Sequence, residues 1–258
     1  MNNPIFSRTY FSLLCLCAWS AGQGFASEAV SGAGGGDDVT IILRQTPMPI
    51  MEHGRLGEIL NRYYKEGVGG SENWENVESL RVAGTLTLAG GEFEFNAYQK
   101  KPYYIKMTIY GNRRNLILGY DGETAWQATP DSKGKAVPMS DEDARRFKHS
   151  AHFGNHLLYP YALGKKIEYI NTVPVEGVIC HLIRVTLDSG YQVDYYINIR
   201  TYLEVKAVTL DLISGVESSV AYEDYIRESG MPIAQKVVSC EAGAWVSDLV
   251  LEEVKVNS

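Results

Sequence analysis

The chain has 258 residues, 45% of them hydrophobic, 21% charged and 11% aromatic. That suits one large β-rich domain, since such domains run to about 250 residues. Lys+Arg at 24 against Asp+Glu at 31 gives a net charge of −7, which argues against a surface built to neutralise phosphates, so no nucleic-acid partner is expected. The 17 tyrosines against 7 phenylalanines favour half-exposed sheet, because Tyr joins an apolar ring to an end that tolerates water.

Arg8 precedes the apolar residues Phe11, Leu13, Leu14, Leu16 and Trp19 and then the small-residue stretch Ala21 to Ala26, which reads as a secretory signal peptide over residues 1–26. The apolar run is shorter than the roughly 20 residues that cross a bilayer. Leu14 and Leu16 stand just before Cys15 and Cys17, where lipid attachment would need a small residue, so a cleaved, exported form is expected ahead of lipidation at either cysteine. Residues 27–50, with Gly34-Gly35-Gly36, Pro47 and Pro49, read as a flexible linker, and residues 51–258 as the folded domain.

Leu56, Ile59, Leu60, Tyr63 and Tyr64 recur at helical spacing and predict a helix from His53 to Lys65, stopped by Gly67 and Gly69-Gly70. From Glu78 the period becomes 2. Alternating segments at Leu80–Leu88, Phe93–Ala97, Tyr104–Ile109, Leu116–Tyr120 and Thr124–Gln127, each closed by turn residues, predict a meander of short strands. Ser140-Asp141-Glu142-Asp143 opens a second helix like a capping box, with Phe147, Ala151 and His152 on one side and an end toward Pro160. Seven further strands follow Gly164, for about twelve in one unclosed sheet with no linker to divide it.

His149, His152 and His156 carry the sharpest local chemistry. At i, i+3 and i+7 they can share one helical face, so a zinc or copper site is a candidate. Against it, no HExxH pairing is present, Gly154 interrupts the helix, and no Cys or carboxylate sits at ligand spacing; a polar, lid-like face is favoured and no metal or other cofactor is assigned. The chain has no G-x-S-x-G, and no Lys-Ser/Thr follows the glycine run, so nothing points to an enzyme. Cys180 and Cys240 fit a disulfide or two free thiols equally, and their spacing does not choose. The apolar face of so long a sheet is either an ordinary core or a groove for acyl chains under the helices.

The order of elements carries a resemblance. The helix ending at Gly70, the strand from Leu80, the Tyr98–Tyr103 turn, the segment Gly119–Trp126, and the stretches Val175–Cys180, Tyr195–Leu203, Tyr222–Tyr225 and Gly230–Ile233 together resemble the LolA/LolB-like family of periplasmic outer-membrane lipoprotein-sorting proteins. The resemblance implies a mainly β, single-domain, unclosed antiparallel barrel under a helical lid. It also implies a periplasmic carrier that shields acyl chains of a lipid or lipoprotein between an inner-membrane donor complex and an outer-membrane acceptor. The alternative is an envelope sensor that binds a partner protein with the same open barrel. Asn198 stands where an acidic residue is usual before the Thr201-Tyr202-Leu203 turn, and Arg81 is left without a gating role. By alternation the expected cavity lining is Leu80, Val82, Leu86, Phe93, Phe95, Ile105, Met107, Ile109, Leu116, Leu118 and Trp126. The strand tyrosines, including Tyr98, Tyr104, Tyr110, Tyr195 and Tyr222, are expected on the outer skin and rim.

Overall fold

A computed structural model of the protein describes residues 47–112 and 115–258. The expected signal peptide and most of the expected linker lie outside the described residues. Met48, from the linker's described end, is buried in the core.

Thirteen strands form one antiparallel sheet: β1 (Ser79–Leu88), β2 (Gly91–Lys100), β3 (Tyr104–Ile109), β4 (Leu116–Tyr120), β5 (Ala125–Ala128), β6 (Val137–Pro138), β7 (Lys165–Val175), β8 (Val178–Leu187), β9 (Tyr191–Asn198), β10 (Glu204–Asp211), β11 (Glu217–Glu228), β12 (Met231–Glu241) and β13 (Ala244–Val256). Their spatial order is β6-β5-β4-β3-β2-β1-β13-β12-β11-β10-β9-β8-β7. Two meanders are thus joined edge to edge by the β1–β13 pair, and β6 and β7, consecutive in sequence, end up at opposite edges. The sheet is left unclosed, and the stretch that links those two edges carries a helix. The strand added to the expected twelve is β6, two residues long and without a pattern to read.

Among the described residues three helices accompany the sheet: α1 (Gly54–Arg62), which runs on as a π-helical turn over Tyr63–Gly67, α2 (Ser71–Glu75) and α3 (Asp141–Ser150). The apolar stripe of α1 and its extension is buried as its spacing requires, with Ile59, Leu60, Tyr63 and Tyr64 all in the core. At the end of the π turn Gly67 meets the β9–β10 turn so closely that a Cβ would lie 2.2 Å from the Tyr202 carbonyl oxygen. No other residue fits that contact. The Ser140 hydroxyl accepts from the Asp143 amide at 3.2 Å, so the cap expected for α3 is formed, with Asp141, Glu142 and Asp143 in its first turn. α3 stops at Ser150, ahead of Gly154 at φ 107°, and the chain continues irregularly to Gly164. Phe147, Ala151, Phe153, Leu157 and Leu158 from this stretch are buried in the same core as α1. The Tyr64 hydroxyl donates to the Leu157 carbonyl at 2.8 Å and ties the two covering segments together. Among the described residues no helix is long and apolar enough to cross a membrane.

Cys180 and Cys240 are both free. They sit on β8 and β12 with three strands between them, too far apart along the sheet for a bridge whose Cα atoms must approach to about 6 Å. The disulfide alternative is therefore corrected to two free thiols.

Candidate functional site

The register of β1 to β4 sets one inner face. Val82 lies opposite Ala97, Ala97 opposite Met107 and Met107 opposite Leu118. A second row runs through Phe95, Ile109 and Leu116, and a third links Leu80, Gln99 and Ile105. Leu80, Leu86, Phe95, Ile105, Met107, Ile109, Leu116 and Leu118 are buried there, with Val82 and Phe93 packed against them at the margin. Trp126 is placed elsewhere. It pairs with Gly119 rather than Leu118, which puts it on the outer face, and its ring occupies the space where a Cβ on Gly119 would stand, 2.2 Å away.

Much of this inner face is packed, and the open space that remains is divided. An apolar pocket of about 40 Å³ lies between Leu80, Val82, Ala97 and Gln99 of the first meander and Tyr222, Ile233, Val237, Leu249 and Leu251 of the second, with no charged side chain in its lining. A larger cavity of about 380 Å³ lies under α3 and the residues after it. Arg145, Lys148, His149, His152, His156, Tyr159, Lys165, Ser189 and Tyr191 surround it. A third pocket of about 40 Å³ shares the three histidines with this cavity and Tyr222 with the apolar pocket. The three spaces are therefore neighbours that share walls, from the histidines to the mid-sheet.

The helix that was expected to hold all three histidines holds only His149; His152 and His156 lie beyond its end. They meet all the same. Ring centroids of His149 and His156 are 5.1 Å apart and stacked, those of His152 and His156 are 4.6 Å apart, and His149 stacks on Tyr191 at 3.9 Å. Stacked rings present faces to one another rather than nitrogen lone pairs to one centre, and among the described residues no group of His, Cys, Asp or Glu is arranged to hold a metal ion. Burial lowers the pKa of His149 to about 3, that of His152 to about 4 and that of His156 well below its ordinary value. All three are neutral at pH 7. Beside them Lys165 donates to the carbonyls of His156 at 2.9 Å and Leu158 at 2.7 Å, and burial brings its pKa down to about 7.

A second ionisable group fastens the cover to the sheet. The carboxylate of Glu204 on β10 accepts from the Tyr63 hydroxyl at 2.5 Å and from the Asn155 amide, so one acid joins the α1 extension, the segment after α3 and the sheet. It is fully buried, its other oxygen has no hydrogen-bond partner, and burial raises its pKa to about 7. Neither Lys165 nor Glu204 stands out in the sequence. Glu204 borders an irregularity between Glu204 and Lys206, which hides its inward direction from any alternation count.

The two positions at which the resemblance left a question are ordinary in structure. The Asn198 side chain accepts from the amides of Arg200 at 2.8 Å and Thr201 at 3.2 Å, so it serves the turn as an acid would. Arg81 sits on the outer face, over the Tyr98 ring and 3.9 Å from Glu253. Tyr98, Tyr104 and Tyr110 are exposed as expected, whereas Tyr195 and Tyr222 are buried in the core, a correction set by the inward face of β9 and β11.

No family model and no curated protein matches the sequence. Solved structures do. A LolA superfamily protein from Nitrosomonas europaea aligns over 80% of this chain and 95% of its own, with a TM-score of 0.56 at 13% identity. An outer membrane lipoprotein-sorting protein domain from Vibrio parahaemolyticus aligns over 78% and 92%, with a TM-score of 0.51 at 11% identity. A DUF1329 family protein from Desulfovibrio piger aligns over 80% and 94%, with a TM-score of 0.55 at 9% identity. An unclosed antiparallel sheet of thirteen strands, covered by helices and matched over most of its length by these structures, is the LolA-like fold.

Proposed function

We propose that the protein is a periplasmic carrier or binding protein that shields the acyl chain of a lipid or lipoprotein on its way toward the outer membrane. The observation that carries this reading is the uncharged pocket between the two meanders, at the place where the LolA-like fold brings its apolar faces together. Each CH₂ withdrawn from water there gains about 0.8 kcal/mol, which is the free energy a carrier has to supply. At about 40 Å³ the pocket holds little more than a water-sized group, so a chain enters only as the cover lifts and side chains repack. The open edges at β6 and β7 allow this, because no strand pairing has to break. Donor and acceptor complexes at the two membranes belong to the same proposal.

The test is titration with a fluorescent fatty acid. Saturable binding is expected, weakened at least about tenfold in Val237→Asp, which sets a charge in the pocket wall. Equal binding by wild type and variant would contradict the placement of the chain, and no binding by wild type would contradict the carrier.

One observation favours a partner protein as a second reading. Leu163, Leu212 and Ile213 are 80%, 49% and 70% exposed. Their turns adjoin, since Leu212 bonds to Gly190 and Asp188 to Gly164, and together they make an apolar tip at one end of the molecule. Crosslinking that recovers a complex lost in Ile213→Ser and retained in Val237→Asp would favour this reading.

A further inference from the structure

The cavity of about 380 Å³ beneath α3 is not accounted for by an acyl chain alone, because three cations and three imidazoles line it and its charges are of one sign. Arg145, Lys148 and Lys165 border it, and no Asp or Glu does. The three cations are not equivalent. Arg145 is turned to Asp211, with hydrogen bonds of 3.2 and 2.5 Å, so its charge is already met. Lys148 lies at the outside, 5.5 Å from the centre of the Tyr120 ring. Lys165 is mostly buried and has carbonyl oxygens for two of its three donors, but its ammonium has no carboxylate beside it. An ammonium ion in such a place is costly unless a counter-charge meets it. Asp188 comes close to Gly164 of this lining, 3.8 Å from where a Cβ would stand, but makes no ion pair with Lys165. Neutral imidazoles line the same cavity beside it, and each gains a proton more readily once an anion is present.

We propose that this cavity binds an anionic oxygen group, a phosphate or a carboxylate, with Lys165 as its principal partner and His152 and His156 beside it. Two sources share that chemistry: a free anion, or the head of an amphiphile. The second rests on the carrier reading above. It is geometrically compatible with it, because a small pocket between the two shares the three histidines with this cavity and Tyr222 with the apolar one.

The experiment follows the histidine side-chain resonances while inorganic phosphate, decyl phosphate or decanol is added to wild type and to Lys165→Met. Decyl phosphate is expected to shift the three histidines and to bind at least about tenfold more tightly than decanol, as one charge-assisted hydrogen bond requires, and Lys165→Met is expected to abolish that preference. Histidine shifts with inorganic phosphate, without binding of either decyl compound, would support the anion site with a free anion as its ligand and would count against the carrier. If neither phosphate moves the histidines in wild type, the proposal is overturned. Binding of decanol in that case would leave the carrier reading standing. The wild-type comparison decides the matter even if Lys165→Met fails to fold.

Discussion

The first meander, β1 to β6, and the second, β7 to β13, share one sheet and one core, yet they bury different groups. On the first, the buried polar residues are Gln99 and Thr108, neither of which ionises. On the second they include His181, Asp194, Glu204 and Asp211, and the cover above it adds buried Asn155 and the half-buried cluster of His149, His152 and His156. The first half is a packed platform whose stability comes from apolar contact. In the second half buried ionisable groups are paired, neutralised or left waiting for a partner, so its energetics respond to pH and to ligands. Function is therefore sought where the two halves meet and under α3, rather than along the first meander alone.

The largest expected effect tests the platform. Leu118→Ala removes a buried side chain from the row Val82, Ala97, Met107, Leu118 and is expected to cost about 2–5 kcal/mol in urea denaturation, by the same amount at pH 5 and pH 8. A loss that changed with pH would mean that the first half is coupled to titrating groups and would erase the contrast.

The next effect tests the second half. Glu204 has a folded pKa of about 7 against an ordinary 4.5, so the fold prefers its protonated form and its contribution is lost as pH rises from about 4.5 to 7. Glu204→Gln removes that falling limb and is expected to gain on the order of 3 kcal/mol over wild type by pH 7.5, with little difference below pH 4.5. His149 and His152 act with the opposite sign. Their folded pKa values are depressed, so the stability they permit is fully present above pH 6.5 and is lost as pH falls toward 4 and 3. Between pH 4.5 and 6.5 wild type should gain stability as pH rises, but less steeply than Glu204→Gln, because one falling limb opposes the two rising histidine limbs. The full histidine slope should emerge in Glu204→Gln. Parallel profiles for the two proteins would contradict the assignment.

How far all this could be read from the chain depended on local pattern. The inner face of β1 to β4 was legible because strict alternation between well-marked turns preserves register across four strands. Trp126 escaped because its facing depends on the length of the Asp121–Thr124 turn, and only its partner Gly119 leaves room for the ring. The amphipathic stripe of α1 and the cap of α3 were equally plain. α2 was not, since five residues with Trp74 as the one buried side chain show no period. The histidine cluster was visible as a spacing but for a different reason from the one that applies: α3 ends early, and an irregular segment returns His152 and His156 to His149. Glu204 is placed by a contact far apart in sequence, with Tyr63, and Lys165 by carbonyls of the irregular segment that precedes it; neither leaves a periodic signal.

Mass spectrometry of lipid extracted from the protein as purified from cells tests the central claim most directly. A single-chain or multi-chain amphiphile with an anionic head, near one per protein molecule, is the result expected if the mid-sheet pocket takes the chain and the Lys165 cavity the head. Protein that carries no lipid, and takes up none when it is offered, would contradict it.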